Sequence, residues 1–207
     1  MDMFNLFLRC LTVKYKSVGC CANYAFEREN NVLYIFFEGS EGIVDWIKNL
    51  NFPAKPYKKM KGNIWYAHRG FVKAWKELEP LLKKVIEDKS IKKIIITGYS
   101  HGAAIAVLCH EYIWYNRKDL QETLQSYGFG CPRVLWGNVT QDIKNRWKRF
   151  VVVRNINDIV THLPPSFLGF FHVGKMLEIG QKKKYNCFQA HNQINILKEL
   201  KIYEKDK

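Results

Sequence analysis

The sequence predicts an α/β fold: a mostly parallel central sheet with helices on both faces and an antiparallel N-terminal edge. Three observations carry this reading. Runs suited to buried strands recur at Val32 to Phe37, Ile91 to Thr97, Gln125 to Gly130 and Arg149 to Arg154. Between them lie segments with apolar residues at spacings of three and four, the period of a helix with one buried face. The chain of 207 residues, 47% hydrophobic, is long enough to bury a sizeable core. Without internal repeats or low-complexity tracts, residues 1–207 read as one domain.

In chain order, residues 1 to about 20 read as a short helix and a loop packed on the body. Ala22 to Glu27 and Val32 to Phe37 read as a hairpin across the turn-prone Arg28-Glu29-Asn30-Asn31, the second strand ending at Glu38-Gly39-Ser40. Ile43, Trp46, Ile47 and Leu50 recur at helical spacing and predict a short amphipathic helix over about residues 41–52, ended by Pro53 and Pro56. Lys55, Lys58, Lys59 and Lys61, with little apolar pattern, read as loop. Phe71, Ala74, Trp75, Leu78, Leu81, Leu82, Val85 and Ile86 mark a longer helix that Pro80 is expected to kink or break. The strand Ile91 to Thr97 and the helix from Ala103 to about Arg117 follow, then the strands at 125–130 and 149–154. Phe170 to Val173 and Met176 to Ile179 read as a last hairpin across Gly174-Lys175. His191 is expected to open a final helix carrying Ile194, Leu197 and Leu200.

Lys and Arg total 33 against 19 Asp and Glu, a formal charge of +14 that favours anionic partners. No stretch interleaves Arg with aromatics and no helix-turn-helix or zinc-finger spacing occurs, so no specific nucleic-acid partner is expected. Cys10, Cys20, Cys21, Cys109, Cys131 and Cys187 contain no C-x-x-C pair, so no structural zinc is expected. Their scatter suits a reducing compartment, although the even count leaves a paired framework open. Cys109 reads as a small buried hydrophobe. The N-terminus has an acid where a secretory signal needs a basic region, and Asn5 and Arg9 interrupt its apolar run. No run approaches the length that crosses a bilayer. The expectation is a soluble or cytoplasmic protein.

The chemistry gathers at Gly98-Tyr99-Ser100-His101-Gly102, where the buried strand stops and a helix begins. In a nucleophile elbow the turn is so tight that the residues two before and two after the serine must be small. A serine hydroxyl needs an imidazole to take its proton, and the imidazole needs a carboxylate to fix its tautomer. Ser100, Asp158 and His191 occur in the order Ser, acid, His that an α/β-hydrolase requires. Asp158 directly follows an apolar strand, whereas Asp119 and Asp142 lie in polar stretches that suit solvated acids. By position, His191 and His172 both remain open as the base; His101 would point away from the serine and His162 shares the acid's loop. The oxyanion requires at least two donors. The backbone N–H of His101 is one candidate, and Ser40, through its N–H and hydroxyl, is the other; Ser40 equally suits the N-cap of the helix after it.

These segments together resemble the class 3 lipase family, that of the filamentous-fungal triacylglycerol lipases. Phe37-Glu38-Gly39-Ser40 resembles the family's oxyanion strand end, Asp45-Trp46 its lid helix, and His68-Arg69-Gly70-Phe71 its H-x-G-F segment. Thr97 to Ala103 is similar to T-G-H-S-L-G-G, Tyr127 to Val134 to the segment that follows it, and Asn157 to Pro165 to the acid-bearing segment ending in L-P-P. Phe171-His172-Val173-Gly174 resembles a non-catalytic H-V-G, which leaves the base to His191. The resemblance implies an α/β-hydrolase fold and hydrolysis of lipid acyl esters through an acyl-enzyme on Ser100. It further implies no metal or organic cofactor, and a lid on which Ile43, Trp46 and Ile47 meet substrate. With the lysines that follow, such a lid suits docking on an anionic membrane surface. A non-catalytic lipid- or protein-binding protein on the same fold is the alternative. The departures are Glu38 for the usual Arg, Tyr99 and His101 for the usual His and Leu, and a shorter chain.

Overall fold

The computed structural model describes residues 2–19, 22–39, 54–60 and 63–206. Ser40 and the segment predicted as a lid helix, with Ile43, Trp46 and Ile47, lie outside the described residues. Among those described, seven strands form the main sheet. Its N-terminal edge is antiparallel: β1 (Lys16–Val18) pairs with β2 (Ala22–Glu29), and β2 with β3 (Val32–Phe37). From β3 onward every neighbour is parallel, in the order β3, β6 (Lys93–Tyr99), β7 (Gln125–Phe129), β9 (Phe150–Asn155) and β11 (Lys175–Ile179).

The near-continuous apolar character of β3 and β6 follows from burial on both faces. Leu33, Ile35 and Phe37 join Ile94 and Ile96 in the core shared with α2 (Arg69–Ile86) and α3 (His101–Asn116). Tyr34, Phe36, Ile95 and Tyr99 face the opposite core, closed by α1 (Met3–Thr12) and α6 (Gln193–Lys205). Strand alternation thus sends alternate side chains to different helix layers. Helix α2 runs through Pro80 without the break that a proline can cause. Seven of its residues are buried, at roughly 1.5–3 kcal/mol for each large apolar side chain, and together they outweigh the ~3 kcal/mol cost of an interior proline.

A second, four-stranded sheet, ordered β10 (Phe170–Phe171), β8 (Leu135–Trp136), β5 (Asn63–His68) and β4 (Ala54–Met60), corrects two expectations. The lysine-rich stretch read as loop is β4. It is an edge strand with Pro56 and a register shift before Lys58, the kind of strand in which charge and proline are tolerated and apolar alternation is lost. The expected hairpin across Gly174-Lys175 does not form: β10 pairs with β8, while β11 pairs with β9 of the main sheet. Gly174, at φ +74°, lies where the chain passes between the sheets, and a Cβ there would meet the Phe150 backbone. Nor does His191 open the final helix. It ends a short helix, α5 (Cys187–His191), and α6 begins afresh at Gln193 with Asn192 as its N-cap. On α6, Leu200 is buried and Leu197 packs against the core as expected, with Ile196 buried beside them, whereas Ile194 is 61% exposed.

No helix of the described residues is long and apolar enough to cross a membrane. The described cysteines, Cys10, Cys109, Cys131 and Cys187, are free thiols, and Cys109 is fully buried.

Candidate active site

Strand β6 delivers the chain to Ser100 at the carboxyl edge of the sheet, and α3 carries it away. Ser100 has φ 54° and ψ −118°, a left-handed conformation that a non-glycine residue holds only when its surroundings enforce it. The enforcement comes from close packing. A Cβ on Gly98 would come within 2.7 Å of the Ala103 nitrogen, and one on Gly102 within 2.5 Å of the Glu38 carbonyl oxygen. The Ser100 N–H is fixed by the Phe129 carbonyl of β7, 2.8 Å away.

Asp158 follows β9 in a tight turn, its N–H on the Asn155 carbonyl at 2.8 Å. One carboxylate oxygen accepts the Val160 N–H at 2.9 Å; the other lies 2.8 Å from His191 Nδ1. A carboxylate accepts and does not donate, so Nδ1 carries the imidazole proton and Nε2 is left as acceptor. His191 Nε2 lies 2.9 Å from Ser100 Oγ. Ser100, Asp158 and His191 are all buried, at 1%, 0% and 5% exposure, which strengthens each hydrogen bond by excluding competing water. The structure thus brings the three residues into one hydrogen-bonded line, although 33 residues separate the acid from the base in sequence.

The local sequence explains how His191 is held. Asn186 and Gln189 form a capping box at the start of α5, and the Asn192 side chain accepts the Ile194 N–H at the start of α6. His191 sits between these two caps. The acid loop is tied to the same helix by the Ile159 N–H on the Cys187 carbonyl at 3.3 Å, and to the residue just ahead of its cap by Asn157 Nδ2 on the Tyr185 carbonyl at 3.2 Å. Arg133 braces it from the other side, donating its N–H to the Leu163 carbonyl at 2.7 Å and its guanidinium to the His162 and Pro164 carbonyls. Gly130, at φ +57°, leaves the space into which the imidazole fits: a Cβ there would lie 2.7 Å from His191 Cε1.

His101 is the first residue of α3, so its backbone N–H has no acceptor within the helix and stands at the positive end of the helix dipole. Its half-buried imidazole lies edge-on to Phe71, ring centres 5.5 Å apart. Burial, reinforced by the nearby His68, lowers its pKa to about 4, so it is neutral at physiological pH. The end of β3 packs against the elbow, with the Cβ position of Gly39 only 2.5 Å from Tyr99 Cδ1. Glu38, the departure from the family's arginine, is held by Asn23, whose Nδ2 donates to its carboxylate at 2.5 Å.

The competing histidines stand elsewhere. His172 lies beyond β10, its Nε2 donating to the Thr161 carbonyl at 2.7 Å, and burial lowers its pKa to about 4. His162 is exposed. Asp119 pairs with Arg117 and Asp142 with Arg146, both away from Ser100. Among the described residues no group of three or more His, Cys, Asp or Glu converges as a metal site. Sequence reasoning missed Gly130, Arg133 and the two asparagine caps; the signal N-x-x-Q at Asn186 was present for the cap of α5.

A family model described as Lipase (class 3) matches residues 34–168. The lipase of Rhizomucor miehei is 32% identical over 151 residues, 69% of this chain and 40% of that protein. A secreted mono- and diacylglycerol lipase of Malassezia restricta is 28% identical over 188 residues, 87% of this chain and 56% of its own length. The solved triacylglyceride lipase of Rhizomucor miehei superposes with a TM-score of 0.68 at 28% identity, covering 82% of this chain and 66% of that one. The chain therefore spans less than two thirds of each of these proteins.

Proposed function

We propose that this chain, which belongs to the class 3 lipase family, is a serine carboxylic ester hydrolase of lipase or phospholipase type that cleaves lipid acyl esters. The observation that carries the proposal is the hydrogen-bonded line from Ser100 through His191 to Asp158 at a strained elbow. In this reading His191 Nε2 takes the Ser100 proton as Oγ attacks the ester carbonyl carbon, and Asp158 stabilises the imidazolium that forms. The oxyanion is received by the His101 N–H, assisted by the α3 dipole, and by Ser40; one such donor is worth about 10²–10³ in rate. His191 then protonates the leaving alcohol, and the acyl group stays on Ser100. Water, deprotonated by His191, attacks the acyl-enzyme and releases the carboxylic acid.

Hydrolysis of short- and long-chain nitrophenyl esters by the wild type and Ser100→Ala tests the reading. The wild type turns over and the variant does not; equal rates would refute it.

A peripheral contact with an anionic membrane surface belongs to the same proposal, supported by the +14 charge and by Trp46 and Ile47 ahead of a lysine-rich strand. Hydrolysis should rise on anionic over neutral vesicles and lose that advantage as salt screens the charge. The cytoplasm is the proposed compartment, supported by the burial of Cys10, Cys109 and Cys131 as free thiols; fractionation of the source cells tests it, and recovery outside them would contradict it.

A further inference from the structure

We propose that Tyr99, the unusual residue of the elbow, is a positioning residue that holds His191 for proton transfer and braces the strand end leading to Ser40. The inference rests on the acyl-transfer reading above and assigns a role to a residue that reading does not use.

Tyr99 is the last residue of β6, and alternation turns its side chain away from α3 into the layer of α1, where Phe7 packs on it with ring centres 5.7 Å apart. Its hydroxyl donates to the main-chain carbonyl of His191 at 2.6 Å. That carbonyl ends α5, so no later residue of the helix can satisfy it. The Tyr99 ring also lies along the His191 imidazole, centres 5.1 Å apart and planes 21° apart. Its other edge meets the Gly39 position, where a Cβ would stand 2.5 Å from Tyr99 Cδ1.

One side chain therefore touches the main chain of the base, the ring of the base and the end of β3. Burial, with the charge of Asp158 nearby, pushes the phenol well above its ordinary range, so Tyr99 stays a donor at working pH. When His191 becomes an imidazolium, the π-face beside it favours that charge. Phenylalanine at 99 would keep the stack and leave the buried carbonyl unpaired; leucine would remove both.

The test begins with a readout that needs no turnover, the far-downfield proton resonance of the His191–Asp158 hydrogen bond. In Tyr99→Phe it should shift and exchange faster with solvent at a temperature where circular dichroism shows the chain folded. In kinetics, kcat should fall by about tenfold to a hundredfold with KM nearly unchanged, the scale of a misplaced catalytic group, and further in Tyr99→Leu. In a His191→Ala background, Tyr99→Phe should leave the residual rate unchanged, because the residue acts through the histidine. An unaltered resonance and kcat in Tyr99→Phe, or an equal fractional loss with and without His191, would overturn the proposal. A wild type that shows the resonance but cleaves no ester would refute the hydrolase reading instead, and the resonance would still decide the role of Tyr99.

Discussion

Among the described residues, two buried serine–histidine pairs are tied to α3. Ser100 precedes the helix and its hydroxyl faces His191 Nε2 at 2.9 Å. Ten residues into the chain beyond it, His110 Nδ1 lies 2.7 Å from Ser126 Oγ of β7, and its Nε2 meets the Arg146 carbonyl at 2.9 Å. A carbonyl only accepts, so His110 carries its proton on Nε2, and Nδ1 accepts a hydrogen bond from the Ser126 hydroxyl. In both pairs a neutral imidazole accepts from a serine hydroxyl. Distance alone therefore does not distinguish them.

Three differences do. His191 has a carboxylate behind it, which stabilises a cation; His110 has a neutral carbonyl, and burial lowers its pKa to about 4. Ser100 stands on a strained turn at the edge of the sheet at the N-terminus of a helix, whereas Ser126 sits within β7, paired across the ladder with Ile96. Finally, Trp147 and Phe150 wall in His110, with ring centres 6.4 and 5.7 Å away. In the proposed reading the same contact serves acyl transfer in one setting, while in the other it is core hydrogen bonding.

Substitutions should break this likeness in order of effect. Ser100→Ala or His191→Ala should lower kcat on nitrophenyl esters by about 10⁶, while Ser126→Ala should leave kcat within about twofold. Asp158→Asn, which spoils the tautomer of His191, should cost about 10⁴ in kcat. Gly130→Ala forces a Cβ against His191 and a side chain onto φ +57°, and should lower kcat about 10²-fold through displacement of the base. Removing the Ser126 hydroxyl leaves a buried imidazole nitrogen unpaired, so denaturant unfolding should show a loss of about 1–3 kcal/mol with no kinetic counterpart.

The last effect concerns pH. With its pKa lowered to about 4 from an ordinary value near 6.5, His110 is unprotonated in the fold at pH values where the unfolded chain binds a proton. Its contribution is fully present above about 6.5 and is lost as pH falls toward 4, up to about 3 kcal/mol in all. His110→Gln should flatten the pH dependence of unfolding in that window, and an unchanged slope would place the acid sensitivity elsewhere.

The two sheets differ in the same instructive way as the two pairs. The centre of the main sheet was legible because β3 and β6 are buried on both faces and read as apolar runs, whereas its partly exposed outer strands β1 and β11 were not placed correctly. The second sheet was not legible, because β4 is a lysine-bearing edge with a proline and a bulge, and β8 and β10 are two residues each. Ser100, Asp158 and His191 were legible from their order and from the segments around them. What holds them was less so. Tyr99 was visible only as an unusual residue, since the bond from its hydroxyl to the His191 main chain joins positions 92 apart. The end of α5 at His191 was hidden because two asparagine caps divide what reads as one approach to a helix.

The most direct test of the account is covalent labelling of the folded chain with a fluorophosphonate, followed by peptide mapping. The expected result is one label per chain on Ser100, abolished in Ser100→Ala and His191→Ala and retained in Ser126→Ala. No label on the folded wild type, or a label that persists in Ser100→Ala, would contradict it.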